Sequence, residues 1–429
     1  MKKIDKEILN IAVPSIVSNI TVPLLGLVDV AIVGHMGDAA YIGAIAVGSM
    51  IFNVIYWVFG FLRMGTSGMT SQLYGAKDWR GVSQLLVRAL SIGVGIGMLF
   101  ILLQRFIREG ALDVMQPTQD IRVYAAAYFN VCIWGAPAML GLYGLTGWFI
   151  GMQNTKVPMM VAVFQNVVNI VASLTFVYFC GMKVEGVALG TLTAQWSGFL
   201  FSLAVLRFRY CRLCGYMSCG ALRERKAMGR FFTVNRDIFL RTLFLVAVNM
   251  FFTSAGAKQG AVVLAVNTLL FQLFTLFSYV MDGFAYAGEA IGGKYFGAHD
   301  SGAFAMTKRH LFAWSVGLTV GYTLLYYIGG EGFLCLLTDD VQVVKASLAY
   351  LPWAVAIPVA GFAAFVWDGL YIGMTATRGM LVSSALSAVV FFLVYFLFFG
   401  MLGNHALWMA LLSYLAMRGV VQTVIAPAV

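Results

Sequence analysis

The sequence predicts an all-α membrane protein with twelve transmembrane helices in two six-helix lobes. Three observations carry that prediction. Of 429 residues, 61% are hydrophobic and 11% charged, with a mean hydropathy of +0.87, whereas a soluble domain carries about 25% charged residues. The apolar residues gather into runs near or beyond the ~20 residues that span a bilayer as a helix. Phrases containing polar residues also recur at one fixed spacing. Such a composition leaves too little polar surface for a water-soluble enzyme. Eight prolines and no long polar tract exclude a disordered or collagen-like chain.

The first run, 8–34, follows Lys2, Lys3, Asp5, Lys6 and Glu7. It is too long for the apolar stretch of a signal peptide and ends without a small-x-small cleavage site, so it is expected to stay as the first helix. Further runs lie at 41–73, 82–104, 119–150, 156–179 and 185–206. After a break come 238–256, 261–293, 305–328, 341–373, 380–402 and 405–425. The second, fourth, eighth and tenth are long or tilted. Twelve spans put both termini on one side, expected to be cytoplasmic. About 22 of the 28 Lys and Arg then fall on that side, including Lys2, Lys77, Arg80, Lys156, Lys308, Arg309 and Arg378. Arg105, Arg108, Arg122, Lys183, Lys258 and Lys345 fall outside. The net charge of +10 thus reflects topology and contact with anionic lipid. Nucleic acid is not an expected partner. The expectation is a monomer integral to the plasma (inner) membrane.

The break sets the domain expectation: an N-terminal lobe at 1–206, a basic cytoplasmic linker at 207–236, and a C-terminal lobe at 237–429. The linker carries Arg207, Arg209, Arg212, Arg223, Arg225, Lys226, Arg230 and Arg236 against the single acid Glu224. It also holds Cys211, Cys214 and Cys219. Zinc normally needs four ligands and no His is near, so these read as reduced thiols, and no metal or other cofactor is expected. Cys132, Cys180 and Cys335 lie in or beside apolar runs, where small buried thiols are common.

Tyr74-Gly75-Ala76-Lys77-Asp78 recurs in the second half as Phe296-Gly297-Ala298-His299-Asp300. The stretch Phe149–Lys156 recurs as Tyr371–Arg378 with the same displacement, and Ala136-Pro137 returns as Ile357-Pro358, one residue out of step. A fixed offset is what an internal duplication leaves behind. An even number of spans between the copies makes the repeats parallel, two bundles related by an axis along the membrane normal, a plan many secondary transporters use.

Ionisable groups at bilayer depth cost about 2.5–3.5 kcal/mol each, so each requires a reason. The candidates are Asp29 in the first span, Asp282 and Glu289 in the eighth, and Asp368 in the tenth. Asp29 follows Pro23 by six residues, and a proline frees a carbonyl and bends a helix, so Pro23 is a candidate hinge. Asn166, Asn169 and Ser173 share one face of the fifth helix, and Thr191 and Gln195 one face of the sixth. Such stripes serve equally as interhelical glue or as the lining of a cavity. Glu289 and Arg63 lie near helix ends and suit snorkelling or structural pairing better than substrate contact. Asp368 aligns with Thr146 and Asp282 with Gly60, so these acids break the repeat and fit asymmetric work, one lobe handling a coupling ion. There is no Walker-type phosphate loop, no H-E-x-x-H and no G-x-S-x-G. An intramembrane enzyme is therefore the weaker reading.

The phrases Val28–His35, Gly151–Pro158 and Met281–Ala290 resemble the multidrug and toxic compound extrusion (MATE) family. The last of them, with Arg236-Asp237-Ile238, looks like its DinF-like branch. The resemblance runs from the first span to the tenth. It implies two six-helix lobes, alternating access, and export of amphipathic, often cationic compounds driven by protons or sodium ions. It places Asp29 as the acid that is protonated or binds a cation, with Asn169 and Thr191 as polar positions around it. Ser173 departs from the pattern, since many relatives carry a second acid there. A lone Asp suits a proton better than sodium, because hard cations prefer several charged oxygens. The coupling ion is therefore expected to be H+, with Na+ as the alternative. The other reading within this architecture is a flippase of lipid-linked oligosaccharides, for which a more basic cavity is expected than the mainly acidic intramembrane charges here.

Overall fold

In hydrocarbon a backbone N–H or C=O cannot be left unpaired, so apolar runs of this length close their hydrogen bonds internally as helices. The computed structural model describes residues 3–34 and 39–427, apart from the side chains of residues 22–27, 30, 39 and 219. The chain is 91% helical, with no strand among the described residues. Eleven described helices are long and apolar enough to cross a membrane. The 32-residue α1 precedes them. The hinge expected at Pro23 falls on a side chain outside the description, as do Lys2, His35 and the side chain of Cys219.

Two compact units emerge, Val13–Phe232 in one, and Met1–Ala12 with Thr233–Val429 in the other. The chain order is α1 (Lys3–Gly34), α2 (Ala39–Phe59), α3 (Phe61–Gly75), α4 (Trp79–Leu102), α5 (Gln104–Met115), α6 (Gln119–Cys132), α7 (Ala136–Gly151), α8 (Lys156–Leu174), α9 (Val184–Arg209) and the short α10 (Cys211–Cys214). Then follow α11 (Arg225–Lys258), α12 (Ala261–Ala287), α13 (Gly293–Gly297), α14 (Ser301–Leu337), α15 (Val341–Gly373), α16 (Thr377–Leu402) and α17 (Asn404–Val424). The basic segment 207–236 is more helical than its charge suggests. Arg and Lys are good helix formers, so α9 runs on to Arg209 and α11 already starts at Arg225.

Unit boundaries fall inside α1 and inside α11. The start of α1 belongs with Thr233–Val429, held by acids: Asp5 Oδ1 accepts from Trp314 Nε1 at 3.1 Å and lies 2.7 Å from His310 Nδ1. Glu7 Oε2 accepts from Tyr295 at 3.1 Å and pairs with Lys294 at 3.3 Å. The start of α11 belongs with Val13–Phe232, where Arg230 Nη2 donates to Gln72 Oε1 at 2.8 Å.

Both repeated phrases fold into the same turns. Lys77 and His299, matching positions of the first phrase, have φ of 58° and 56°. Gln153 and Thr375, matching positions of the second, have 63° and 53°. Side chains rarely adopt this left-handed conformation, so its return at both matching pairs marks tightly specified turns. Asp78 and Asp300 then cap the next helix, accepting from Gly81 N at 2.8 Å and Ala303 N at 2.9 Å. Backbones also cross closely at matching points: a methyl at Gly147 would collide with the Arg63 carbonyl of α3, and one at Gly369 with the Ala285 carbonyl of α12. In membranes, where lipid tails are as apolar as Leu, small residues drive association by allowing such contact. Around the first crossing packs a core of Val82, Leu86, Trp148, Phe149 and Phe199, with Trp148 Nε1 donating to the Val82 carbonyl at 3.0 Å.

Gly147→Ala and Gly369→Ala should each destabilise the protein by about 1–3 kcal/mol, the usual cost of overpacking. Gly110→Ala, which meets nothing nearby, should not. Thermal unfolding in detergent measures all three, and equal melting temperatures would refute the crossing as a structural requirement.

Candidate functional site

In the unit Val13–Phe232, α1 delivers Asp29 into the protein interior, where it is 5% exposed. Its Oδ1 has no hydrogen-bond partner among the described residues. Tyr128 and Cys132 of α6 stand close enough to interact electrostatically with its carboxyl group. The Tyr128 hydroxyl in turn accepts from Ser49 Oγ at 3.4 Å, and Cys132 Sγ contacts the Ala188 carbonyl of α9 at 3.7 Å.

The polar stripes of α8 and α9 meet each other. Asn169 Nδ2 donates to Thr191 Oγ1 at 3.1 Å, and Asn166 Nδ2 donates to the Thr21 carbonyl of α1 at 2.7 Å. These bonds join helices. The buried oxygens Asn169 Oδ1 and Ser173 Oγ remain without partners among the described residues, and Gln195 stands beside the buried Tyr56. No hydrogen bond joins Asn169 or Thr191 to Asp29 among the described residues; α6 supplies the groups recorded beside that acid.

The other unit treats its acids differently. Asp368, on α15, is buried and pairs through Oδ2 with both Arg241 of α11 and Arg418 of α17. Its Oδ1 accepts from Gln422 Nε2 at 2.6 Å. Arg418 lies over the Tyr414 ring at 5.5 Å and also feels the charge of Asp282. Glu289 is 1% exposed within a π-helical turn, Gly288–Gly292. Arg63 is likewise buried, so neither side chain reaches out to water. A second buried network, Asn267 with Asn404 and Trp408, ties α12 to α17 through bonds of 2.8–2.9 Å.

Arg241 and Arg418 correct the expectation that intramembrane charges are mainly acidic, since both are at most 6% exposed. Arg241 falls within the seventh expected span, 238–256, and Arg418 within the twelfth, 405–425, yet the sequence reading counts neither among the intramembrane charges. The available signal was Arg241 inside Ile238-Phe239-Leu240-Arg241-Thr242-Leu243-Phe244, an arginine too deep in apolar sequence to be a flank. Asp368, which the fixed offset sets against Thr146, has bases as its partners.

The MatE family model matches two stretches of the chain, residues 14–175 and 238–398. This chain belongs to the MatE family. Members of this multidrug and toxic compound extrusion family are transporters, not enzymes. The DNA damage-inducible protein F of Escherichia coli (strain K12) is 36% identical over 417 residues, covering 97% of this chain and 90% of that protein. The multidrug export protein MepA of Staphylococcus saprophyticus is 21% identical over 413 residues, covering 95% and 90%. Among solved structures, a MATE protein in the bent conformation matches the fold with a TM-score of 0.90 at 18% identity, covering 99% of this chain and 94% of that one. The flippase and intramembrane-enzyme readings are not favoured by these relatives. The chain is thus a MATE-family relative of multidrug efflux transporters, embedded in a membrane through many apolar helices.

Removing one partner of a buried ion pair costs about 3–5 kcal/mol, because the other charge is left uncompensated. Asp368→Asn strands two guanidinium groups and should therefore lower the unfolding temperature and the yield of folded protein. An Asp368→Asn protein as heat-stable as wild type would contradict the buried triad.

Proposed function

We propose that this MATE-family member is a proton-coupled antiporter exporting lipophilic, often cationic compounds by alternating access, with Asp29 as the coupling residue. The observation that carries this reading is the contrast between the two buried acids. Asp368 is neutralised by two arginines, whereas Asp29 has a carboxyl oxygen without a partner among the described residues. Taking an unpaired carboxylate out of water is costly, so binding a proton is the least costly way to keep Asp29 buried. The charged form favours a wetter arrangement, and a ligand that binds two conformations unequally shifts the balance between them. Ser173, in place of a second acid, leaves neutral oxygens around the site and disfavours sodium, a hard cation that prefers charged oxygen ligands. Arg241 and Arg418 do not make the second unit strongly basic, because Asp368 and Asp282 offset them, which fits cationic cargo.

In proteoliposomes, an imposed pH gradient should drive wild-type transport of a dye-like lipophilic cation, and a sodium gradient alone should not. Asp29→Asn, which imitates the protonated acid, should fold normally and reduce gradient-driven transport to the protein-free background. Wild-type rates from Asp29→Asn would transfer the coupling role elsewhere, and sodium-driven transport at fixed pH would overturn the choice of ion.

On the same reading the protein is a monomer in the inner membrane with cytoplasmic termini, its lobes 1–206 and 237–429 joined by the segment 207–236. Cys180 and Cys211 are both exposed and lie on opposite sides in this topology. In sealed cells, a version retaining Cys180 alone should react with a membrane-impermeant maleimide, and one retaining Cys211 alone only after permeabilisation. The reverse pattern would invert the orientation and the direction of export.

A further inference from the structure

The transport reading does not use a cavity of about 640 Å³ in the unit Val13–Phe232, where the segment after α10 folds over the end of α3 and the start of α4. Arg80, Gln84 and Arg88 line it from α4, and Glu224 and Arg230 line it from the opposite side. Arg88 is 4% exposed, and its Nε donates to the Ala221 carbonyl at 2.9 Å while Nη2 pairs with Glu224. That pair fastens the segment to α4 and engages the only acid between Arg207 and Arg236. The other lining acid, Asp78, caps α4 through Gly81 N. Arg230 is oriented by the neutral amide of Gln72. Arg223, Arg225 and Lys226 flank the cavity in sequence and add positive charge.

We propose that this cavity binds the phosphate group of an anionic phospholipid. Guanidinium groups match phosphate oxygens in geometry and charge, and basic pockets at membrane surfaces take up anionic head groups. Position at the membrane interface favours a lipid over a soluble phosphate. In the same segment Phe208 is 84% exposed, and Tyr216, Leu222 and Phe232 are exposed too, and aromatic side chains among bases are typical of the membrane–water boundary. The site belongs to one unit: where the repeat matches Arg80 and Gln84, the second half has Gly302 and Met306, which offer no charge. The assignment is independent of the coupling ion and of the transported compound.

The test uses the full-length protein and native mass spectrometry with phosphatidylglycerol, phosphatidylcholine or inorganic phosphate as the probe. Phosphatidylglycerol should bind the wild type in preference to phosphatidylcholine. Arg80→Gln with Arg230→Gln should weaken that binding by about fivefold for each arginine removed, equivalent to about 1 kcal/mol per base at an anionic surface. Arg209→Gln with Arg212→Gln, bases of the same segment outside the cavity, should leave it unchanged. Should the first pair not fold, Arg80→Gln alone gives the same reading, because that side chain is exposed. Equal losses from both pairs would reduce the effect to general surface charge and overturn the site. Inorganic phosphate binding as tightly as the lipid would overturn the lipid assignment.

Discussion

A bilayer offers no water to a buried charge, so each ionisable side chain among the membrane helices must be matched by an opposite charge or be neutral. Asp368 is matched twice, by Arg241 and Arg418, with Gln422 completing its acceptor oxygens. Three helices, α11, α15 and α17, are thereby fixed to one another at a single atom group. Among the described residues Asp29 has no such match at Oδ1, and its neighbours Tyr128 and Cys132 are uncharged in their ordinary states. One buried acid is therefore matched by two cations, and the other keeps an oxygen without a partner among the described residues.

That difference rests on a scaffold whose helices meet at backbone distance. Gly147 against α3 and Gly369 against α12 remove the side chain that would separate the axes. The tight turns at Lys77, Gln153, His299 and Thr375 set where the next helix begins. Asp78 and Asp300 then satisfy backbone donors at the exposed starts of α4 and α14. Close crossings and fixed turns leave little slack between the helices.

Polar contacts at the starts of α1 and α11 follow the same economy. Arg88 grips Glu224, and His310, its counterpart in the repeat, meets Asp5. Each leading helix starts with polar anchors and continues as an apolar span. The basic segment between the spans is accordingly held by specific bonds, and its surplus charge, with exposed aromatic rings in the same segment, is what the proposed lipid site rests on.

Composition, run length and the fixed offset of the repeated phrases determined much by themselves: a helical membrane protein, the approximate spans, and the phrases that carry its family. These are legible because hydrophobic length and backbone pairing are local requirements. Helical periodicity also put Asn169 and Thr191 on definable faces of their own helices, while their bond to each other was decided by packing. Arg241 and Arg418 were not, because sequence does not show that residues 127 and 50 positions from Asp368 converge on one carboxylate. Nor could it separate Asp29 from Asp368, two aspartates in apolar runs. Only tertiary packing decides which buried acid has a cation within reach, because a charge at bilayer depth is stabilised by what surrounds it in space and not by its neighbours along the chain.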